Sequence, residues 1–185
     1  MRTKSTLEKA VKFVINCKSL FSFKKNIFQK NIFSILFCLI TTISFAQVKT
    51  VDSYLANLET SGQGSDVTSL KHLLYDLQDA VYYLSSDLTV KTYGDTPSAL
   101  YTDINSINSL NASSMQSNDI EIATIKIQTT SDLNRTIDLA SFSGFGKLKY
   151  IYIYSEIQTN EAVINNMIKN DNAKYILIYN ISIGG

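Results

Sequence analysis

The sequence predicts a mixed protein, of α/β or α+β class, in which an N-terminal helical part precedes a small, parallel sheet of about three strands. The first observation is a change of hydrophobic period. Apolar residues recur at helical spacing up to residue 110 and alternate with polar ones from about residue 118. The second observation is that three alternating segments follow one another at intervals of 26 and 25 residues. A helical region, 47–117, and a strand-repeat region, 118–185, are therefore expected to form one folded unit.

The first 46 residues have the features of a bacterial secretory signal peptide. Eight basic residues and one acid occupy residues 1–30, and the uncharged run 32–46 follows. Ser44 and Ala46 are small residues placed for cleavage before Gln47. The uncharged run is shorter than the roughly 20 residues of a spanning helix, although an uncleaved membrane anchor is the alternative interpretation. We expect an exported protein, in the periplasm, at the cell surface or outside the cell.

Removal of this leader would change the charge of the chain. Eight of the 17 basic residues and one of the 16 acidic residues lie in it, so nine basic and 15 acidic residues remain, a net charge of −6. An acidic chain without a basic stripe is a poor partner for nucleic acid. Both cysteines, Cys17 and Cys38, also lie in the leader. The mature protein is therefore expected to have no disulfide, thiolate metal site or cysteine nucleophile.

Three helices are predicted before residue 111, over 48–59, 66–88 and 97–110. The middle one has the clearest pattern, because its apolar residues are spaced alternately three and four apart over three heptads. They are Val67, Leu70, Leu74, Leu77, Val81, Leu84 and Leu88. Burial of this seam within the protein predicts that Leu77 is a core residue. The alternative is a coiled coil with a partner.

Three strands are predicted after the polar connector 111–119. Isoleucine alternates with other residues over 120–128, and apolar residues alternate in the same way over 149–157 and 174–182. Residues 160–171 separate the last two strands and read as a short helix. Its inward residues are expected to be Val163, Ile164, Met167 and Ile168.

The three strands form a repeat. One alignment pairs Ile125, Ile151 and Ile176, and likewise Ile127, Ile153 and Ile178. The pattern L-x-x-L-x-L, with isoleucine in place of leucine, appears as Leu148, Ile151 and Ile153. A period of 20 to 29 residues with one strand in each repeat is typical of leucine-rich repeats. Over about residues 118–185 the chain resembles a short, degenerate leucine-rich-repeat protein, which implies parallel strands joined by return segments on one side.

Tyrosine is concentrated in the last two strands. In this alignment Tyr150 neighbours Tyr175 and Tyr154 neighbours Tyr179, with Tyr152 on the same side. A flat aromatic face with hydroxyl groups is suited to binding sugars or peptides. We therefore predict a binding face made of Tyr150, Tyr152, Tyr154, Tyr175 and Tyr179. The alternative is that these side chains are ordinary strand residues that pack on the helices.

No catalytic motif stands out in the sequence. The single histidine, His72, has Asp76 four residues on, but the nucleophile motif G-x-S-x-G is absent. The acid pairs Asp76 with Asp79 and Asp132 with Asp138 are close only in sequence. We predict no enzyme activity, no cofactor and no metal site.

The expected function is therefore binding rather than catalysis. The first interpretation is an exported surface-interaction protein that binds a protein, peptide or glycan partner through its tyrosine-rich face. The alternative is a structural or assembly partner that acts through the 66–88 helix. It could also act through the last strand as an open edge, which would allow the protein to form oligomers.

Overall fold

A seven-stranded sheet forms the centre of the computed structural model, which describes residues 47–87, 89–110, 115, 119–171 and 174–183. The predicted signal peptide lies outside the described residues. The strands of the chain are β1 (Lys49–Thr50), β2 (Ala80–Tyr83), β3 (Val90–Tyr93), β4 (Ala99–Asp103), β5 (Ile122–Ile127), β6 (Ile137–Asp138), β7 (Tyr150–Ser155), β8 (Ile168–Lys169) and β9 (Ile176–Ile181). Strands β6 and β8 pair in a separate, two-stranded parallel sheet.

The order of strands in the large sheet is β1-β9-β7-β5-β4-β2-β3. All neighbours are parallel except β2 and β3, which pair antiparallel. From β2 through β4, β5 and β7 to β9, spatial neighbours follow one another in chain order. Parallel strands need crossover connections, and these connections together with the helices cover the faces of the sheet.

Three α-helices accompany the sheet: α1 (Val51–Thr60), α2 (Gly64–Tyr75) and α3 (Glu161–Met167). Thr50 caps α1, because its Oγ1 accepts a hydrogen bond from the Ser53 amide at 3.2 Å. Asn160 caps α3 in the same way, with its Oδ1 3.0 Å from the Val163 amide. Both caps are short polar side chains immediately before an amphipathic run, so these helix starts follow from local sequence.

The two faces of the sheet carry separate cores. On one face α1 and α2 bury Leu55, Leu58 and Leu70 against alternate strand residues such as Ile122 and Ile178. On the other face the crossover connections supply a larger core. Its fully buried members include Leu100, Ile107, Ile125, Ile127, Ile137, Leu139, Phe142, Phe145, Ile151 and Ile153.

The structure confirms the mixed α/β class and the parallel sheet, but the sheet is larger than predicted. The predicted strands 120–128, 149–157 and 174–182 are β5, β7 and β9. The prediction that region 47–117 is helical was wrong in part, because this region also contains β1, β2, β3 and β4.

The predicted helix over 66–88 is the main error in that region. Helix α2 ends at Tyr75, and the chain turns through Gln78 into β2. Leu77 is fully exposed, whereas Val81 is buried as a strand residue. Leu88 lies outside the described residues. The three-and-four spacing continues past the helix end by coincidence. Residues 80–83 form a strand, because pairing with strands on both sides stabilises them more than another helical turn would.

The predicted helix over 97–110 is also wrong. Its apolar residues Leu100, Ile104 and Ile107 are buried as expected. They lie on β4, in the turn after it and on a 3₁₀ turn, Ile107–Ser109, rather than on one helix. The hydrophobic positions were therefore correct while the backbone geometry was not.

The last strand is not the edge of the sheet, contrary to the prediction of an open edge. Strand β9 pairs with β7 on one side, and on the other side Lys49 and Thr50 of β1 pair with Ile178 and Tyr179. A two-residue strand is too short to show any period in the sequence. At the opposite end of the sheet β3 pairs with β2 alone, and three of its four residues are exposed.

Candidate functional site

A groove of about 490 Å³ opens between the C-terminal end of α2 and the sheet. It lies on the sheet face that carries the helices. Its lining residues come from α2, from four strands and from the segment after β2. They are Leu73, Leu74, Tyr75, Tyr82, Leu84, Tyr101, Thr102, Thr124, Lys126, Tyr152 and Tyr154. We call this site the tyrosine groove.

The groove exists because the helices cover only part of the sheet face. Residues two apart on a strand point to the same side. The row that begins each strand is buried in the core beneath α1 and α2, and contains Ala80, Ala99, Ile122 and Tyr150. The next row consists of Tyr82, Tyr101, Thr124 and Tyr152, which are only half-buried. Since α2 ends at Tyr75, this second row remains open at the groove.

Tyrosine rings are arranged in order along this second row. The rings of Tyr82 and Tyr101 are stacked, with centroids 4.8 Å apart and planes 14° apart. Tyr93 meets the other side of Tyr82 edge-on, at 5.5 Å and 89°. Beyond Thr124, Tyr152 contacts Tyr154 with a centroid distance of 6.2 Å. We refer to Tyr93, Tyr82, Tyr101 and Tyr152 as the tyrosine ladder, which Thr124 interrupts.

The phenol groups of Tyr101 and Tyr152 remain protonated at neutral pH. Burial raises the pKa of Tyr101, and the neighbouring Tyr82 adds to the effect. Burial also raises the pKa of Tyr152, although a hydrogen bond with Asn180 opposes this change. Both hydroxyls can therefore donate hydrogen bonds to a ligand.

The charges at the rim of the groove compensate one another. Lys126 Nζ lies 2.7 Å from Glu156 Oε1. The hydrogen bond from Lys126 lowers the pKa of Glu156, and Gln128 contributes a further one at 3.3 Å. Among the described lining residues, Lys126 carries the one charge, and Glu156 compensates it.

A second hollow of about 630 Å³ adjoins the tyrosine groove and shares Tyr82 and Leu84 with it. One wall is the turn at Gly94, which has a φ of +84°. That turn wraps around the Asp79 carboxylate, whose Oδ2 accepts hydrogen bonds from the Asp95 and Thr96 amides at 3.0 and 3.2 Å. Asp79 therefore holds the loop between β3 and β4 in place.

Buried Asp103 fixes the segment after β2, which carries Leu84. Its Oδ2 accepts hydrogen bonds from both the amide and the hydroxyl of Ser85, each at 2.7 Å. Its Oδ1 accepts bonds from Asn105 and Ser106. Burial would raise the pKa of Asp103, but the bonds from Ser85 and Ser106 outweigh it and lower that pKa. The carboxylate is therefore ionised at neutral pH and acts as a structural acceptor.

The structure places the five predicted face residues in three different environments. Tyr152 and Tyr154 line the groove, as part of an open surface. Tyr150 is on the same side but 1 % exposed beneath the helices. Tyr175 and Tyr179 are buried in the core on the opposite face of the sheet.

The cause is a register difference of one residue. Tyr150 pairs with Ile176 and Tyr154 with Asn180, not with Tyr175 and Tyr179 as predicted. Because side chains alternate between faces, a shift of one residue moves a whole set to the other face. The repeated letters "KY" at the start of the two segments favoured the wrong alignment.

Sequence reasoning found only two of the eleven residues that line the groove, Tyr152 and Tyr154. Tyr82 and Tyr101 lay in segments predicted to be helical. A signal was present, since "AVYY" at 80–83 and "ALYT" at 99–102 both place a small residue, an aliphatic residue and a tyrosine in succession. These two segments pair in that register.

The acidic residues considered for catalysis have structural partners. His72 Nδ1 lies 2.6 Å from Asp76 Oδ2, and the two side chains are 60 % and 63 % exposed to solvent. The Asp132 carboxylate accepts hydrogen bonds from the backbone amides of Gln128 and Thr129. Asp138 accepts bonds from the Ala140 amide and from Asn170. Within the described ranges no cluster of histidine, cysteine, aspartate or glutamate could hold a metal ion.

Comparison with known proteins gives no family. The chain has no significant match to a protein-family model, a curated protein or a solved structure. Among the described residues, no helix has the length and apolar character needed to cross a membrane.

The hydroxyl of Tyr150 provides a test of the packing under the groove. It is buried without a hydrogen bond. The side chain of Tyr150 raises the pKa of Lys149, whose Nζ lies 5.0 Å from the Tyr150 ring centroid. Tyr150→Phe is expected to raise the free energy of unfolding by about 1 kcal/mol, because it removes a desolvated polar atom.

Denaturant melts would measure this effect. Tyr152→Phe is the matched control, because it deletes a hydroxyl that bonds to Asn180 and is expected to lower stability by about 1 kcal/mol. A loss of stability in Tyr150→Phe as large as in the control would show that the buried hydroxyl has a partner.

Proposed function

We propose that this chain is a non-enzymatic binding protein and that the tyrosine groove is its ligand site. The observation that carries the proposal is the tyrosine ladder, three of whose rings, those of Tyr82, Tyr101 and Tyr152, line the open groove. Aromatic residues that combine a large apolar surface with a hydroxyl are typical of binding sites. The groove's volume of about 490 Å³ is within the usual range of small-ligand pockets.

Exposed apolar side chains around the groove support the same function. Tyr75 on its wall is 65 % exposed, and Leu77 and Tyr93 beside it are also exposed. Large apolar groups gathered at one surface mark binding sites more often than isolated ones do. The partners considered for this surface are a peptide, a protein or a glycan.

We also propose that the strands are successive turns of a leucine-rich-repeat-like coil. In support, β2, β4, β5, β7 and β9 are parallel neighbours in chain order. The register steps from Ile122 to Tyr150 to Ile176 are 28 and 26 residues. Pairing of β6 with β8 gives the return segments a contact of their own. In repeat proteins such stacking creates an extended face for binding.

Export of the protein remains part of the proposal. It is supported by the basic start, the uncharged run 32–46 and the small residues before Gln47. It is compatible with a mature chain free of cysteine, since no thiol would then need a reducing compartment.

A binding screen tests the groove. We expect ligands from a panel of glycans, peptides and small aromatic compounds to bind the wild-type protein and to lose affinity at least tenfold with Tyr152→Leu. Tyr54→Leu is the matched control, because Tyr54 packs on the same helical side of the sheet without lining the groove. A ligand whose affinity is unchanged by Tyr152→Leu but lowered by Tyr54→Leu would place the site elsewhere.

A further inference from the structure

We propose that the tyrosine groove binds a neutral, planar aromatic ring in the gap that Thr124 leaves in the tyrosine ladder. This inference rests on the proposed function and adds the chemical class of the ligand. The ring would occupy the position that a fourth consecutive aromatic side chain would otherwise take. It would lie between Tyr101 and Tyr152.

The gap follows from strand register. Thr124 of β5 pairs with Tyr101 of β4 on one side and with Tyr152 of β7 on the other. Neighbouring strands are about 4.8 Å apart, so Tyr101 and Tyr152 belong to strands about 9.6 Å apart. A threonine side chain reaches only a short way above the sheet. The outer parts of the two tyrosines therefore border the part of the groove above Thr124, which we call the slot.

The dimensions of the slot match one flat ring. Tyr82 and Tyr101 stack at 4.8 Å with planes 14° apart, which shows how this row accommodates rings on adjacent strands. A ring placed above Thr124 would be about 4.8 Å from each flanking strand position. Aromatic pairs are favourable at centroid separations of about 4.5 to 7 Å. A bound aromatic ring would therefore continue the ladder.

The surroundings select a neutral ring. Leu73, Leu74 and Tyr75 of α2 provide an apolar wall. The one lysine in the lining is paired with Glu156, so a charged ligand would find no unpaired partner at this rim. The Tyr101 and Tyr152 side chains line the groove, and the Tyr152 hydroxyl, which bonds to Asn180, has a further hydrogen-bonding position for a single polar substituent. A ring with one N–H or O–H, such as an indole or a phenol, satisfies these conditions.

Isothermal titration with indole and with p-cresol tests the inference, and methyl β-glucopyranoside is the non-aromatic ring for comparison. We expect the two aromatic probes to bind with a Kd on the order of 0.1 to 1 mM, as befits small fragments. Thr124→Tyr should fill the slot with a side chain of the protein and weaken aromatic binding at least tenfold. Thr124→Ser leaves the slot open and should bind within about twofold of wild type.

The outcomes separate the inference from the proposed function. The glucoside could bind while the aromatic probes do not, and Thr124→Tyr could abolish that glucoside binding. This result would keep the groove as a ligand site and overturn the aromatic assignment. Aromatic binding that persists in Thr124→Tyr, with an unchanged thermal melt, would overturn the slot. Chemical-shift changes confined to residues outside the groove would contradict both proposals. Aromatic binding lost in Thr124→Tyr and kept in Thr124→Ser would support both.

Discussion

Leu70→Ala is expected to lower the free energy of unfolding by about 2 to 5 kcal/mol, whereas Leu77→Ala should change it by less than about 0.5 kcal/mol. Both residues belong to the apolar series that predicted one long helix. Leu70 is completely buried between α2 and the sheet, and Leu77 is completely exposed after the helix has ended. Removal of Leu70 leaves a cavity in a closed core. Removal of Leu77 leaves none.

Chemical denaturation of the two variants side by side measures this contrast, and each leucine serves as the control for the other. The pair also tests the origin of the groove, because the end of α2 at Tyr75 is what leaves the second row of the sheet uncovered. A large loss of stability in Leu77→Ala would mean that the helix continues and covers the tyrosines. The proposed binding site would then be closed.

Gly94→Ala is expected to lower stability by about 2 to 5 kcal/mol. The backbone at Gly94 has a φ of +84°, a left-handed conformation that costs other residues roughly 1 to 2 kcal/mol. A Cβ at this position would also collide with the carboxylate carbon and oxygens of Asp79. Relief of that collision would move Asp79 away from the Asp95 and Thr96 amides and add a cost of about 1 to 3 kcal/mol.

Gly62→Ala is the control for Gly94→Ala. Gly62 also has a positive φ, +71°, but a Cβ there would meet nothing within 4 Å. Gly62→Ala should therefore lower the free energy of unfolding only by the cost of the left-handed backbone, about 1 to 2 kcal/mol. Equal losses of stability in the two variants, measured by thermal or denaturant melts, would show that the Asp79 side chain can move aside without destabilising the protein. The Asp79 carboxylate would then not be what holds the β3–β4 loop.

A structural loss at Gly94 would have a consequence for binding. Strand β3 leads into this turn and carries Tyr93, whose ring meets Tyr82 edge-on at 5.5 Å. The Asp79 turn thus supports one end of the tyrosine ladder. Mutations there are expected to change the groove through the position of these rings and not through direct contact with Thr124.

The sequence by itself determined the elements whose local pattern agrees with their environment. Strands β5, β7 and β9 alternate because they are long enough to show a period of two and because one face is fully buried in the larger core while the helices cover the other only in part. Helices α1 and α3 begin at capping residues, Thr50 and Asn160, that can be recognised without tertiary contacts. The isoleucines of β5 and β7 were correctly expected to be buried. The parallel arrangement also followed from their repetition.

Only the tertiary structure decided where α2 stops, which tyrosines share a face and which strand forms the edge. Each depends on pairing between segments far apart in the chain. β4 is a strand because it pairs with β5, and β2 is a strand because it pairs with β4 and β3, although the apolar residues of both also fit a helix. The register of β9 against β7 is set by backbone hydrogen bonds and by both cores, and one residue of difference moves Tyr175 and Tyr179 away from the groove. Local periodicity predicts which residues are buried, but it does not predict the segment against which they pack.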